Sequence, residues 1–299
     1  MKRSQIVSGF ILAALSSVAY GSYPIFVQWI LESGMNTSTI LFLRFGGCVM
    51  LLWGYCLINP KKRLRGLGKA AGKLLLVGMF SYAAMSALNL AALTKISASL
   101  ASMLLCLYPV FVTGIYILLG RQTFYWSLLW CLLTCAAGLY LLLDIRSGEF
   151  HAWGTILAVG ASIAYAGYIV LGSTIREQMD PILRATCIMS GAWISFSITG
   201  FSTQSIQFDF LPAGWFWISC VVVIATVLPV MFFWTAIERI GAVNASIIGI
   251  LEPLATVVLS ALFLHEVMEF HQMIGVFLIL ASVFMLQFIQ YRQQELRSQ

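Results

Sequence analysis

Residues 9–23, GFILAALSSVAYGSY, and residues 154–168, GTILAVGASIAYAGY, are two versions of one segment. Gly9/Gly154, Ala13/Ala158, Ser17/Ser162, Ala19/Ala164, Tyr20/Tyr165 and Tyr23/Tyr168 coincide at an offset of 145. A second pair repeats at an offset of 144. There, ALTKISASLASMLLCLYPV (92–110) lies over AIERIGAVNASIIGILEPL (236–254), aligning Lys95 with Arg239, Ile96 with Ile240, Ala101 with Ala245 and Pro109 with Pro253. Two segments at nearly one offset define a tandem repeat, 5–146 and 147–290, followed by a short tail at 291–299. The repeat also bears on the N-terminus. Lys2 and Arg3, an apolar stretch and Ser17–Val18–Ala19 have the form of a secretory signal, but a segment with an interior copy is expected to stay as a structural helix.

Only 9% of the residues are charged, 61% are hydrophobic and the mean hydropathy is +0.93. A water-soluble domain carries roughly a quarter charged residues. Apolar runs recur at about 5–24, 37–58, 74–94, 97–119, 124–143, 153–172, 182–201, 213–236, 242–264 and 270–290. Each approaches the roughly 20 residues that cross a hydrocarbon core. Backbone in lipid must satisfy its hydrogen bonds internally. The expected fold is therefore an all-α integral membrane protein with ten transmembrane helices, five per repeat. Five is odd, so the second copy enters the membrane from the opposite side. Such inverted-topology repeats are common in secondary transporters, which hold substrate near the midplane between the halves.

The net charge of +6 does not point to nucleic acid. Fourteen of the seventeen Lys and Arg fall on the side holding both termini, Lys95 and Arg146 on the other, and Arg44 inside a span. This positive-inside bias puts both termini in the cytoplasm. The basic run NPKKRLRGLGKAAGK (59–73) reads first as a topology determinant and second as a contact for anionic lipid. All seven cysteines lie in apolar spans, without metal-ligand spacing, and His151, His265 and His271 are scattered, so no metal or cofactor is expected. There is no GxxxxGK[ST] motif for a primary pump. The connections are too short for a soluble catalytic domain, and ionisable groups within the spans are too few for an intramembrane enzyme.

Two of those groups stand out. Glu252 sits in SIIGILEPLATVVL (246–259), ten residues from Ala242 and so about 15 Å deep. A charge there costs about 2.5–3.5 kcal/mol on insertion scales and normally faces a cavity or a partner. Its counterpart in the first repeat is Tyr108, itself a contact candidate, so the repeat does not require an acid. Three roles are open: contact with a cationic group of substrate, carriage of a coupling proton, or pairing with a buried base. Arg44 is the available base. It either binds a substrate carboxylate bidentately or snorkels to the interface on its long stem.

Around these, Tyr82, Ser86 and Asn89 recur at i, i+4 and i+7, one polar helix face that lines a cavity or bonds another helix. Tyr20, Tyr23 and Trp234 are candidate aromatic walls. Pro109 and Pro253 each free a carbonyl one turn back, at Leu105 and Gly249, and are expected to kink their helices at equivalent depths.

Tyr20–Gly21–Ser22, Leu43–Arg44–Phe45 and the Pro109 and Pro253 segments, each of the last two followed by an apolar stretch, a charged turn and a Gly-containing helix, resemble the drug/metabolite transporter superfamily, specifically its EamA-type group with two tandem copies. The resemblance spans about 8–143 and 153–289. One departure is the family's frequent Gly-Glu turn, which here reads Gly120–Arg121 and His265–Glu266. The resemblance implies a ten-helix carrier in a bacterial inner membrane, exporting amino acids or other small polar metabolites. Protons are a candidate coupling ion. Drugs, organic cations and sugar-like metabolites are alternative solutes, and a channel is the alternative mode.

Overall fold

The computed structural model describes residues 3–58, 68–120, 126–142, 151–175, 179–240, 245, 248–249 and 251–298. The basic run up to position 67, Arg121, Arg146, Ala242 and Ser246 lie outside these residues. Every described element is helical: α1 (Arg3–Gly21), α2 (Tyr23–Glu32), α3 (Thr37–Ile58), α4 (Lys69–Val77), α5 (Ala83–Leu93), α6 (Ala98–Leu105), α7 (Tyr108–Leu118), α8 (Trp126–Leu142), α9 (Ala152–Thr174), α10 (Pro181–Ser202), α11 (Ala213–Val222), α12 (Leu228–Ile240), α13 (Leu251–Phe263) and α14 (Phe270–Ser298). Short π-turns, Gly78–Tyr82 and Val223–Val227, join α4 to α5 and α11 to α12. Side chains start several helices. Asp180 accepts from the Ile182 and Leu183 amides, Ser97 from Leu100, and His151 Nδ1 from Gly154, each satisfying a donor that a helix N-terminus leaves open.

Among the described residues seven helical stretches are long and apolar enough to cross a membrane: Gln5–Glu32, Thr37–Ile58, Ala70–Leu93, Ala98–Leu118, Ala152–Thr174, Pro181–Ser202 and Ala213–Ile237. The other three expected spans coincide with α8, α13 and α14, of which α8 has 17 residues and α13 has 13. The outer surface of the bundle is apolar, with Ile58, Phe80, Leu118 and Phe277 exposed. Patches of that extent on a water-facing protein would drive association. Here they form the surface that meets lipid.

The two repeats pack by exchanging the same contacts. Helix α1 lies along α12 and α13, while α9 lies along α5, α6 and α7. A Cβ added to Gly9 would fall 2.5 Å from Ile240 Cγ2, and one added to Gly154 would fall 2.6 Å from Ile96 Cγ2. Gly9/Gly154 and Ile240/Ile96 are the repeat-equivalent pairs of the sequence, so one close approach is made twice with the halves exchanged. The π-turns obey the same relation, since Gly78 and Tyr82 shifted by 145 give Val223 and Val227.

One end of the bundle is tied across the halves. The Glu266 carboxylate accepts from the Ala98 amide at 2.9 Å, the Ser99 amide at 3.3 Å and Ser99 Oγ at 2.6 Å. Ser99 and Ser260 hydroxyls lie 2.8 Å apart, and Ser102 donates to Thr256 at 3.3 Å. Glu266 caps α6 from the far repeat because His265 turns the chain with φ +54°. Its equivalent Gly120 has φ +65°. The glycine of a Gly-Glu turn suits this left-handed backbone; a histidine adopts it at a cost of roughly 1–2 kcal/mol.

Backbones cross closely where Gly78 meets the Ile188 carbonyl and Gly191 meets the Leu75 carbonyl, and a Cβ added at either would overlap the oxygen. Rigid backbone cannot yield there, so Gly191→Ala is expected to cost about 1–3 kcal/mol. Gly54 faces open space. Thermal unfolding in detergent should show a lowered midpoint for Gly191→Ala and none for Gly54→Ala; equal midpoints would contradict the crossing.

Candidate functional site

The helix interruptions converge on a cavity of about 200 Å³ between the repeats. From the first repeat it is lined by Tyr20, Tyr23, Arg44, Tyr82, Ser86, Asn89 and Tyr108, and from the second by Tyr165, Tyr168, Trp234, Glu252 and Pro253. All eight residues singled out in the sequence as contact candidates (Glu252, Arg44, Asn89, Ser86, Tyr82, Tyr108, Tyr20 and Trp234) therefore face one space. Pro253 reaches it and Pro109 is not among its lining residues.

Arg44 is 6% exposed and its guanidinium is held inside the bundle. Nε donates to Thr226 Oγ1 at 3.1 Å, and Cζ lies 3.9 Å from the centroid of the Tyr23 ring and 5.2 Å from that of Phe45. The ring faces supply negative potential to a cation. Thr226 is itself fixed by donating to Val221 O at 2.8 Å, five residues back, within the second π-turn. A single π-turn thus sets the base in place. Such turns recur at functional sites.

Glu252 lies at the start of α13, where its amide donates to Gly249 O at 3.0 Å. Its carboxylate has no hydrogen-bond or ion-pair partner among the described residues, Arg44 included. Tyr20, Tyr108 and Tyr165 stand within electrostatic reach of it. The rings form a continuous wall: Tyr108 to Tyr165 is 4.5 Å between centroids, Tyr165 to Tyr168 is 5.7 Å, Tyr168 to Tyr82 is 5.1 Å and Tyr82 to Phe45 is 5.9 Å. This wall runs from the acid to the base. Two buried groups of cavity-lining residues, Tyr23 OH and Asn89 Oδ1, have no hydrogen-bond partner among the described residues.

Pro109 and Pro253 act more sharply than a bend. Helix α6 ends at Leu105 and a new helix begins at Tyr108. The carbonyl freed at Leu105 accepts from Ser162 Oγ at 3.1 Å. In the other half Ser17 donates to Ile248 O at 3.2 Å. Repeat-equivalent serines thus satisfy backbone at both breaks.

The model of the EamA-like transporter family matches residues 7–144 and again 152–288. The chain belongs to that family. A protein called "Uncharacterized transporter YcbK", from Bacillus subtilis (strain 168), is 28% identical over 92% of this chain and 91% of its own. An "Uncharacterized transporter" from Archaeoglobus fulgidus is 26% identical over 90% of this chain and 92% of its own. A crystal structure at 12% identity covers 97% of this chain and 99% of its own with a TM-score of 0.59, a likeness of fold. This EamA-like transporter is a multi-pass membrane protein and not an enzyme.

Sequence reasoning missed Tyr165 and Tyr168 as site residues of the EamA-like transporter, although the repeat pairs them with Tyr20 and Tyr23. That pairing was the usable signal. Thr226 had none, because its role depends on the π-turn and on a residue 182 positions away. Removing its hydroxyl leaves a buried cation short of an acceptor, which costs about 1.5–3 kcal/mol. Thr226→Val is expected to lower the unfolding midpoint in detergent while Thr226→Ser retains it; equal losses in both would contradict the bond to Arg44.

Proposed function

We propose that this protein is a secondary carrier of small polar metabolites, amino acids among them, exported across the cell membrane by alternating access. It consists of ten spans in two inverted halves, with both termini cytoplasmic. The observation that carries the reading is the cavity to which one half contributes Arg44 and the other Glu252. Beyond the Nε bond, the Nη groups of Arg44 make no hydrogen bond to described residues, which leaves them for bidentate contact with a carboxylate. Glu252 is likewise free for an ammonium group or a coupling proton. A zwitterion satisfies both charges at once.

Alternating access accounts for the tie at one end. Glu266, Ser99, Ser260, Ser102 and Thr256 close the end opposite the termini, so solute enters from the terminal face. That is the cytoplasmic face by the charge bias, and loading from it makes the carrier an exporter. Opening the far end requires α6 and α13 to part.

Reconstituted protein should show saturable counterflow of an amino acid, stimulated by the same solute in the opposite compartment. A channel cannot show trans-stimulation. Glu252→Gln should lower counterflow at least tenfold. A Ser99→Cys/Ser260→Cys pair should stop it on oxidation and regain it on reduction. Undiminished counterflow in the oxidised pair, or in both Glu252→Gln and Arg44→Gln, would overturn the reading.

A further inference from the structure

Arg44 and Glu252 differ in how far the protein already compensates them. The guanidinium has a hydrogen-bond acceptor in Thr226 and an aromatic face on Tyr23 at 3.9 Å. The carboxylate has no hydrogen-bond donor or cation on it among the described residues, yet it faces the cavity amid Tyr20, Tyr108 and Tyr165. Among the described residues the outstanding electrostatic demand is therefore for a cation, at the Glu252 end.

The surroundings of that end suit a cation. Tyr108 and Tyr165 pack at 4.5 Å with their planes inclined at 56°, and Tyr165 stacks on Tyr168 at 5.7 Å. Aromatic rings beside a carboxylate complement an ammonium group: a ring face provides quadrupole attraction and the acid provides charge. Asn89 lines the same cavity, and its Oδ1 is buried without a hydrogen-bond partner among the described residues.

We propose that the Glu252 end is an ammonium subsite of its own, and that the ligand class of this protein is small organic amines, for which a carboxylate is optional. This rests on the carrier reading above and narrows it. Amino acids occupy the cavity through the ammonium first, and Arg44 adds affinity when a carboxylate is present. A decarboxylated amine retains the principal contact. A deaminated acid loses it and also places a second negative charge in a cavity with an uncompensated carboxylate.

The test uses the full chain in detergent, with calorimetric titration of three probes that differ by one group each: norleucine, pentylamine and hexanoate. Pentylamine is expected to bind within about tenfold of norleucine, and hexanoate at least a hundredfold more weakly. Glu252→Gln should weaken pentylamine and norleucine alike, whereas Arg44→Gln should weaken norleucine more than pentylamine. The wild-type comparison stands without the variants should either fail to fold. Binding of norleucine without pentylamine would overturn the ammonium subsite and leave the zwitterion carrier intact. Binding of hexanoate as tightly as norleucine would also overturn it. Failure of both norleucine and pentylamine would remove the carrier reading together with the subsite.

Discussion

In hydrocarbon an unpartnered backbone carbonyl costs several kcal/mol, and the irregular turns of this bundle sit where a side chain can supply the missing bond. Ser162 reaches across to Leu105 O, Ser17 to Ile248 O, Ser16 to Pro229 O and Thr256 to Gly21 O. All four link one repeat to the other. The helix breaks therefore can exist only while the halves stay packed, and the cavity, which the breaks border, exists only with them.

The same constraint separates what the repeat keeps from what it varies. Kept in both halves are the close approach of a glycine to an isoleucine, the serine beside the broken helix, the π-turn and the left-handed residue after the proline helix. These set backbone geometry, and a change in one half would misfit the other. Varied are Arg44 against Met189, Glu252 against Tyr108 and Glu266 against Arg121. The first two are charges that one half alone contributes, and the third reverses sign between the halves. Two of the three acids and bases line the cavity and the third closes one end, so the symmetric parts build the frame and the asymmetric ones give it chemistry.

Much of the frame was legible in the sequence because it depends on residue type at fixed spacing. The Gly9/Gly154 and Pro109/Pro253 alignments, and the apolar runs, are local patterns. The residues brought together around the cavity were found by depth and by polarity in an apolar setting, as with Glu252, Arg44 and the Tyr82–Ser86–Asn89 face. What stayed hidden depends on contacts between distant segments. The π-turns leave no composition signature, since GMFSY and VIATV share no residue in common order. Glu266 as a cap for α6 needs the packing of the two halves, and so does the absence of a bond between Arg44 and Glu252, two groups of matching depth that invited pairing.

Cys106 lines the cavity, while most other cysteines are buried in helix contacts. In a variant retaining Cys106 as the single cysteine, its alkylation rate with increasing concentrations of a transported solute tests directly whether solute occupies the space between the repeats. Saturable protection, with a half-maximal concentration matching that for transport, is the predicted result. An alkylation rate indifferent to a solute that the protein demonstrably carries would contradict the account.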